Sequence, residues 1–99
     1  MSEQSDSPLP AGLVHYRSTP VFSEATVPAG LLADHSTKPG VWGLIVVRSG
    51  ALRYRITDLR RPPTTVELAA GEAPGIVEPT ISHHVEAMGA VEFQIEFYR

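Results

Sequence analysis

The sequence predicts an all-β chain folded as a jelly-roll sandwich or barrel. Three observations lead there. Short runs rich in Val, Ile, Leu and aromatic residues recur along the chain, bounded by Gly, Pro, Asp or Ser punctuation. Several of them alternate apolar and polar residues with period two, most cleanly the last, where Val91, Phe93, Ile95 and Phe97 are interleaved with Glu92, Gln94, Glu96 and Tyr98. No stretch sustains a helical period for three turns, and no internal repeat appears.

Residues 1–10 are polar and Pro-containing, which predicts a flexible tail, with a single domain over residues 11–99. From Leu13 a β-rich run is interrupted at Pro20, as suits a strand edge or end. Residues 27–30 read as a turn, and residues 31–35 as a strand with Leu31, Ala33 and His35 on one face. Residues 41–47 are almost wholly apolar, the pattern of a strand buried on both faces. Ser49-Gly50 reads as a hairpin turn, followed by residues 51–57, in which Leu52, Tyr54 and Ile56 oppose Arg53, Arg55 and Thr57. Charge and two prolines make residues 58–63 an exposed loop, and a strand resumes over 64–68. A turn at residues 70–72 precedes residues 76–87, where two strand-like pieces flank a Pro turn.

Composition removes several functions. With 42% hydrophobic and 19% charged residues and a formal net charge of −3, the chain lacks the basic balance that nucleic acid demands. It has no cysteine, hence no disulfide, thiolate metal site or cysteine nucleophile. No apolar window approaches the roughly 18 residues of a membrane span and no signal-like segment opens the chain, so a cytoplasmic location without membrane contact is expected. Neither phosphate-binding glycine motif is present, and no catalytic nucleophile constellation can be assigned.

The densest group of ligand-type side chains lies at residues 76–87: Glu78, His83, His84 and Glu86. The run His35-Ser36-Thr37-Lys38-Pro39-Gly40-Val41-Trp42-Gly43, the segment Val77-Glu78-Pro79 followed by His83 and Val85-Glu86-Ala87, Ser18-Thr19-Pro20 near the start and Phe97-Tyr98 at the end together resemble the small cupin domain of the TehB/YeaR-like family. That resemblance implies a cupin-like double-stranded β-helix and an association with tellurite or other oxyanion stress. It carries His83 onto the metal histidine of the second cupin motif and His35 onto the first histidine of the first. Thr37 stands where a second histidine is expected.

A transition metal takes three or more convergent ligands, and imidazole with carboxylate suits Zn, Fe, Mn or Ni. Strand alternation puts His83 with Val85 and Ala87 on one face and turns His84 and Glu86 to the other, which leaves Glu78 as the third ligand beside His35 and His83. Trp42 and Tyr54 are the candidates to wall a ligand cavity. His84 with Glu86 is expected to be a solvated pair, and His15 plain surface structure. Arg60 and Arg61 form a possible oxyanion clamp in an otherwise solvated loop. The functions expected are binding of a small molecule, oxyanion or metal, or, alternatively, a metal-dependent enzyme of oxygenase or isomerase type. A homodimer is expected from the apolar surface of residues 41–47 and of the last strand.

Overall fold

The structure, a computed structural model, describes residues 8–99, and the expected tail over residues 1–7 lies outside them. Six strands and one helical turn follow in order: β1 (His15–Ser18), β2 (Phe22–Ser23), α1 (Ala29–Leu32), β3 (Trp42–Ile56), β4 (Thr64–Ala69), β5 (Gly75–Val77) and β6 (His83–Tyr98). All pairings are antiparallel, in the order β1-β6-β3-β4, with β2 also on β6 and β5 also on β3.

Two long strands carry the architecture. β3 and β6 pair from Trp42↔Tyr98 to Ile56↔His83, interrupted by register shifts between Val47 and Ser49 and between Gly50 and Leu52. The expected hairpin at Ser49-Gly50 is therefore a pair of bulges inside one strand. Gly50 has φ +73°, and a Cβ on it would lie 2.1 Å from the carbonyl oxygen of Ala90. A glycine with positive φ serves a bulge as well as a turn, and sequence alone does not separate the two. Across the bulges the buried set of β3 changes parity, from Ile45 and Val47 to Leu52 and Tyr54, so both halves of the strand address one core. That cluster takes Ile45, Val47, Leu52, Tyr54, Val85, Phe93 and Ile95 from the two long strands, with Leu68 of β4 and Val77 of β5 closing it.

The strand expected over residues 31–35 is instead a single helical turn with an extended exit. Pro28 at its start is fixed at φ −62°, its carbonyl accepts from Leu31 N–H at 3.0 Å, and Ala33 has already returned to extended backbone. His35 keeps a β-pairing all the same: its N–H donates to His83 O and its carbonyl oxygen accepts the reciprocal bond from His83 N–H, both at 2.9 Å. Residues 41–47 are buried on both faces within one chain, Leu44 on one and Ile45 on the other. Val41, Trp42 and Val46 stay partly exposed. Among the described residues no helix is long and apolar enough to cross a membrane.

Candidate functional site

Tyr54 is the pivot of the candidate site. Alternation along β3 sends it inward, where its ring is almost fully buried and its hydroxyl donates to Ile76 O at 2.8 Å. Burial, and secondarily the charge of Glu78, pushes its phenol up to about 12, so it remains a neutral donor throughout the physiological range. On one side its ring meets His83 edge-on, with 5.6 Å between centroids. On the other it walls an open groove of about 890 Å³, together with Trp42, Ile56, Leu68 and Ile76. Gly75 makes room for this wall, since a Cβ there would come within 2.8 Å of Leu68 and 3.2 Å of Tyr54. Leu9 also lines the groove and is buried, so this part of the expected tail is docked, as its one large apolar side chain allows.

The groove is apolar in its walls and acidic at its margin: Glu67, Glu72 and Glu78 line it, and no lysine, arginine or histidine does. Its size falls in the range of small-molecule sites. The acidic margin disfavours an anionic occupant.

Behind Tyr54, the structure brings His35 and His83 together with ring centroids 4.2 Å apart. Among the described residues His83 is the one buried polar or charged side chain set against the hydrophobic core. Its Nδ1 faces Ile81 O at 2.9 Å, and His35 Nδ1 faces Ala33 O at 3.0 Å. A carbonyl only accepts, so in each ring Nδ1 carries the proton and, in the neutral form, Nε2 keeps its lone pair. Burial holds the His83 imidazole below its ordinary pKa, with the neighbouring His35 adding to the shift and the Ile81 hydrogen bond opposing it. Imidazoles whose rings are oriented through Nδ1, with Nε2 left to face outward from that bond, are how a protein prepares metal ligands.

Glu78 does not complete the set. Its carboxylate is taken by Arg61 at 2.8 Å. Among the described residues no group of three or more His, Asp or Glu converges in a way that holds a metal.

A model of the TehB-like domain family matches residues 17–95. The chain belongs to that family. The YeaR proteins of Escherichia coli strains K12 and O157:H7 are each 31% identical over 97 residues, covering 91% of this chain and 81% of theirs. A crystal structure of an Escherichia coli K12 protein superposes with a TM-score of 0.82 at 30% identity, covering 94% of this chain and 96% of that one. TehB from Haemophilus influenzae superposes with a TM-score of 0.79 at 27% identity; 87% of this chain is matched but only 31% of TehB, so the chain spans about a third of that protein. A cupin-2 domain protein from Shewanella frigidimarina, 18% identical with a TM-score of 0.52 over 85% of this chain and 64% of its own, shares the cupin fold.

The outer face of this TehB-like sheet holds a charge network that sequence reading grasped only in part. His84 and Glu86 point away from the core, as alternation requires, but the pair is far from simply solvated. His84 Nε2 lies 2.9 Å from Glu86 and its Nδ1 2.8 Å from Asp34, with the side chain only 17% exposed. Two carboxylates on the two ring nitrogens favour the imidazolium, and the His84 pKa is raised, first by Glu86 and then by Asp34. Glu86 also meets Arg53 at 3.4 Å and Arg55 at 3.2 Å, the latter an ion pair by distance without hydrogen-bond alignment. Asp34 was invisible as a partner because it sits 50 residues away, in a segment whose strand assignment was itself superseded.

The linkage signs of this network are definite. Stability from His84 is fully present below its ordinary value of 6.5 and is lost as pH rises through the raised folded value. Stability from Glu86 and Asp34, both lowered chiefly by His84, is present above their ordinary values of 4.5 and 3.8 and is lost as pH falls through the lowered ones. In Glu86→Gln the melting temperature should therefore fall below wild type by more at about pH 6 than at about pH 8. A gap independent of pH in thermal melts across that range would show that His84 is not charged by this network.

The arginine loop also differs from expectation. Arg60 is bound to both oxygens of Asp58 at 2.9 Å and to Thr80 O, while Arg61 is spent on Glu78. Asp58 is held far below the carboxylate range, first by Arg60 and then by the N–H groups of Ser82 and Arg60. These two guanidiniums fasten the loop to the Pro turn and are neutralised in doing so, which removes the oxyanion clamp. His15 is exposed, with Nε2 2.8 Å from Ser18 Oγ and its ring tilted against Tyr98 at 5.4 Å, the contacts of surface structure.

Proposed function

We propose that this TehB-like chain binds a small, largely apolar molecule, uncharged or cationic, in the groove walled by Trp42 and Tyr54. The observation that carries the reading is the chemistry of the groove: aromatic and aliphatic walls, a carboxylate margin, and no cation among its lining residues. Tyr54 acts as a fixed wall and not as a donor to the ligand, because its proton is committed to Ile76 O. Glu78, positioned by Arg61 and lying at the groove, supplies the acceptor that orients a polar end. A role in tellurite or other oxyanion stress, implied by the family resemblance, is supported by family membership; the groove disfavours the oxyanion itself.

The metal-dependent alternative would rest on His35 and His83, which no third His, Asp or Glu joins among the described residues.

Trp42 is the only tryptophan of the chain and lies in the groove, so its fluorescence reports occupancy directly. A series of phenol, aniline, benzylamine and benzoate, added at matched ionic strength, should shift the emission with benzylamine or the neutral compounds and leave it unchanged with benzoate. Trp42→Ala should weaken binding, followed by NMR, about tenfold or more, the loss of one aromatic wall. Preference for benzoate, or no response of Tyr54 and Ile76 resonances to any compound, overturns the reading.

A further inference from the structure

The chain's cations are distributed in a way that its composition hides. Of eight Lys and Arg residues, Arg53, Arg55, Arg60 and Arg61 are paired with carboxylates, and Arg48 is bound to the side-chain oxygen of Gln94 at 2.9 and 2.6 Å. The remaining three, Arg17, Lys38 and Arg99, have neither a carboxylate nor an amide partner for their charged groups among the described residues. All three line one cleft of about 440 Å³, and among the described residues no acidic side chain lines it with them. In a protein of net charge −3 this concentration of uncompensated positive charge is opposite in sign to the whole.

The fold assembles it from three segments. Pairing of β1 with β6 sets Arg17 opposite Phe97, and the backbone bonds between Val14 and Arg99, both 3.1 Å, bring the last residue alongside. Lys38 comes from the turn closed by Val41 N–H on Lys38 O at 3.0 Å, with Pro39 second and Gly40, at φ +80°, third. Thr37 fixes that turn by donating to Val41 O at 2.7 Å. Both guanidiniums are braced by aromatic faces: Arg17 lies 5.2 Å from the Phe97 ring centre and Arg99 4.0 Å from that of Tyr16. Stacking holds a guanidinium by its face and leaves its in-plane N–H groups free, the edge that binds an oxyanion bidentately. Ser36 adds an unengaged hydroxyl at the margin. Even with a carboxylate on Arg99 counted against the three side chains, the cleft carries a net charge of two positive units (3 − 1).

We propose that this cleft, separate from the apolar groove, is a binding site for a doubly charged tetrahedral oxyanion of the phosphate or sulfate class. The test is an NMR titration of the intact chain at about 20 mM ionic strength, where surface electrostatics are least screened. Inorganic phosphate and sulfate should saturably shift the amides of residues 16–18 and 36–41, and sodium chloride at matched ionic strength should not. Phenyl phosphate run in parallel separates a free anion from one carried on an organic body: equal affinity indicates the former, tighter binding the latter. Arg17→Gln and Lys38→Gln should each weaken binding about tenfold, as expected for loss of one charge-assisted contact. Arg48→Gln, outside the cleft, should not. An equal response to chloride, or a double variant at Arg17 and Lys38 that binds as wild type does, overturns the proposal.

Discussion

Replacing Gly50 by alanine is expected to destabilise the chain by about 3–5 kcal/mol, a large part of what a domain of this size has. Two penalties coincide. At φ +73° any side chain is strained, and here the new Cβ meets backbone, 2.1 Å from Ala90 O and 3.1 Å from Val91 Cα, with no flexible group to yield. Relief requires β6 to move away from β3 at the bend on which both halves of the core depend. Gly89 is the internal control. It too has a positive φ, +83°, but nothing lies within 4 Å of a Cβ built there, so Gly89→Ala should cost only the conformational strain of about 1–2 kcal/mol. Urea unfolding of the two variants separates the terms. Equal losses would mean that close approach at the bend contributes nothing.

The same glycine shows where sequence stops being informative. Period-two alternation located Leu52, Tyr54, Val85, Phe93 and Ile95 on the core face, because burial on one face of a strand leaves a local mark. Whether Ser49-Gly50 ends a strand or bends it depends on what lies across the sheet, and that is a non-local fact. The helical turn at Ala29–Leu32 was missed for the opposite reason: four residues are too few to show a period. At the site, strand alternation turns His83 inward and His84 outward, and His35, which only the family resemblance singled out, pairs with His83. Side-chain partners were beyond it. Arg61 and Glu78 are 17 residues apart, and only the closure of the loop on the Pro turn decides that this carboxylate answers a guanidinium and does not turn to the imidazoles.

Replacing His83 by leucine separates the two uses the site invites. At about pH 8 the variant should be less stable by about 1–3 kcal/mol, since Ile81 O is left buried without its donor. On acidification the difference should shrink. The His83 pKa is depressed in the folded state, chiefly by burial, so the unfolded chain binds a proton more readily and wild type loses stability as pH falls below about 6.5. Leucine cannot titrate and is free of that penalty, while His84, whose pKa moves the other way, still contributes its stabilisation below the same value. Groove binding should survive, because neither His35 nor His83 lines the groove and the Tyr54 ring stands between. Parallel titrations with benzylamine and with Zn²⁺, Mn²⁺, Fe²⁺ and Ni²⁺ then decide. Retained groove affinity, with metal affinity no tighter than about micromolar in wild type, agrees with two imidazoles lacking a third protein ligand. A stoichiometric metal in wild type that His83→Leu abolishes, together with loss of the groove ligand, would transfer the function from the groove to the imidazole pair.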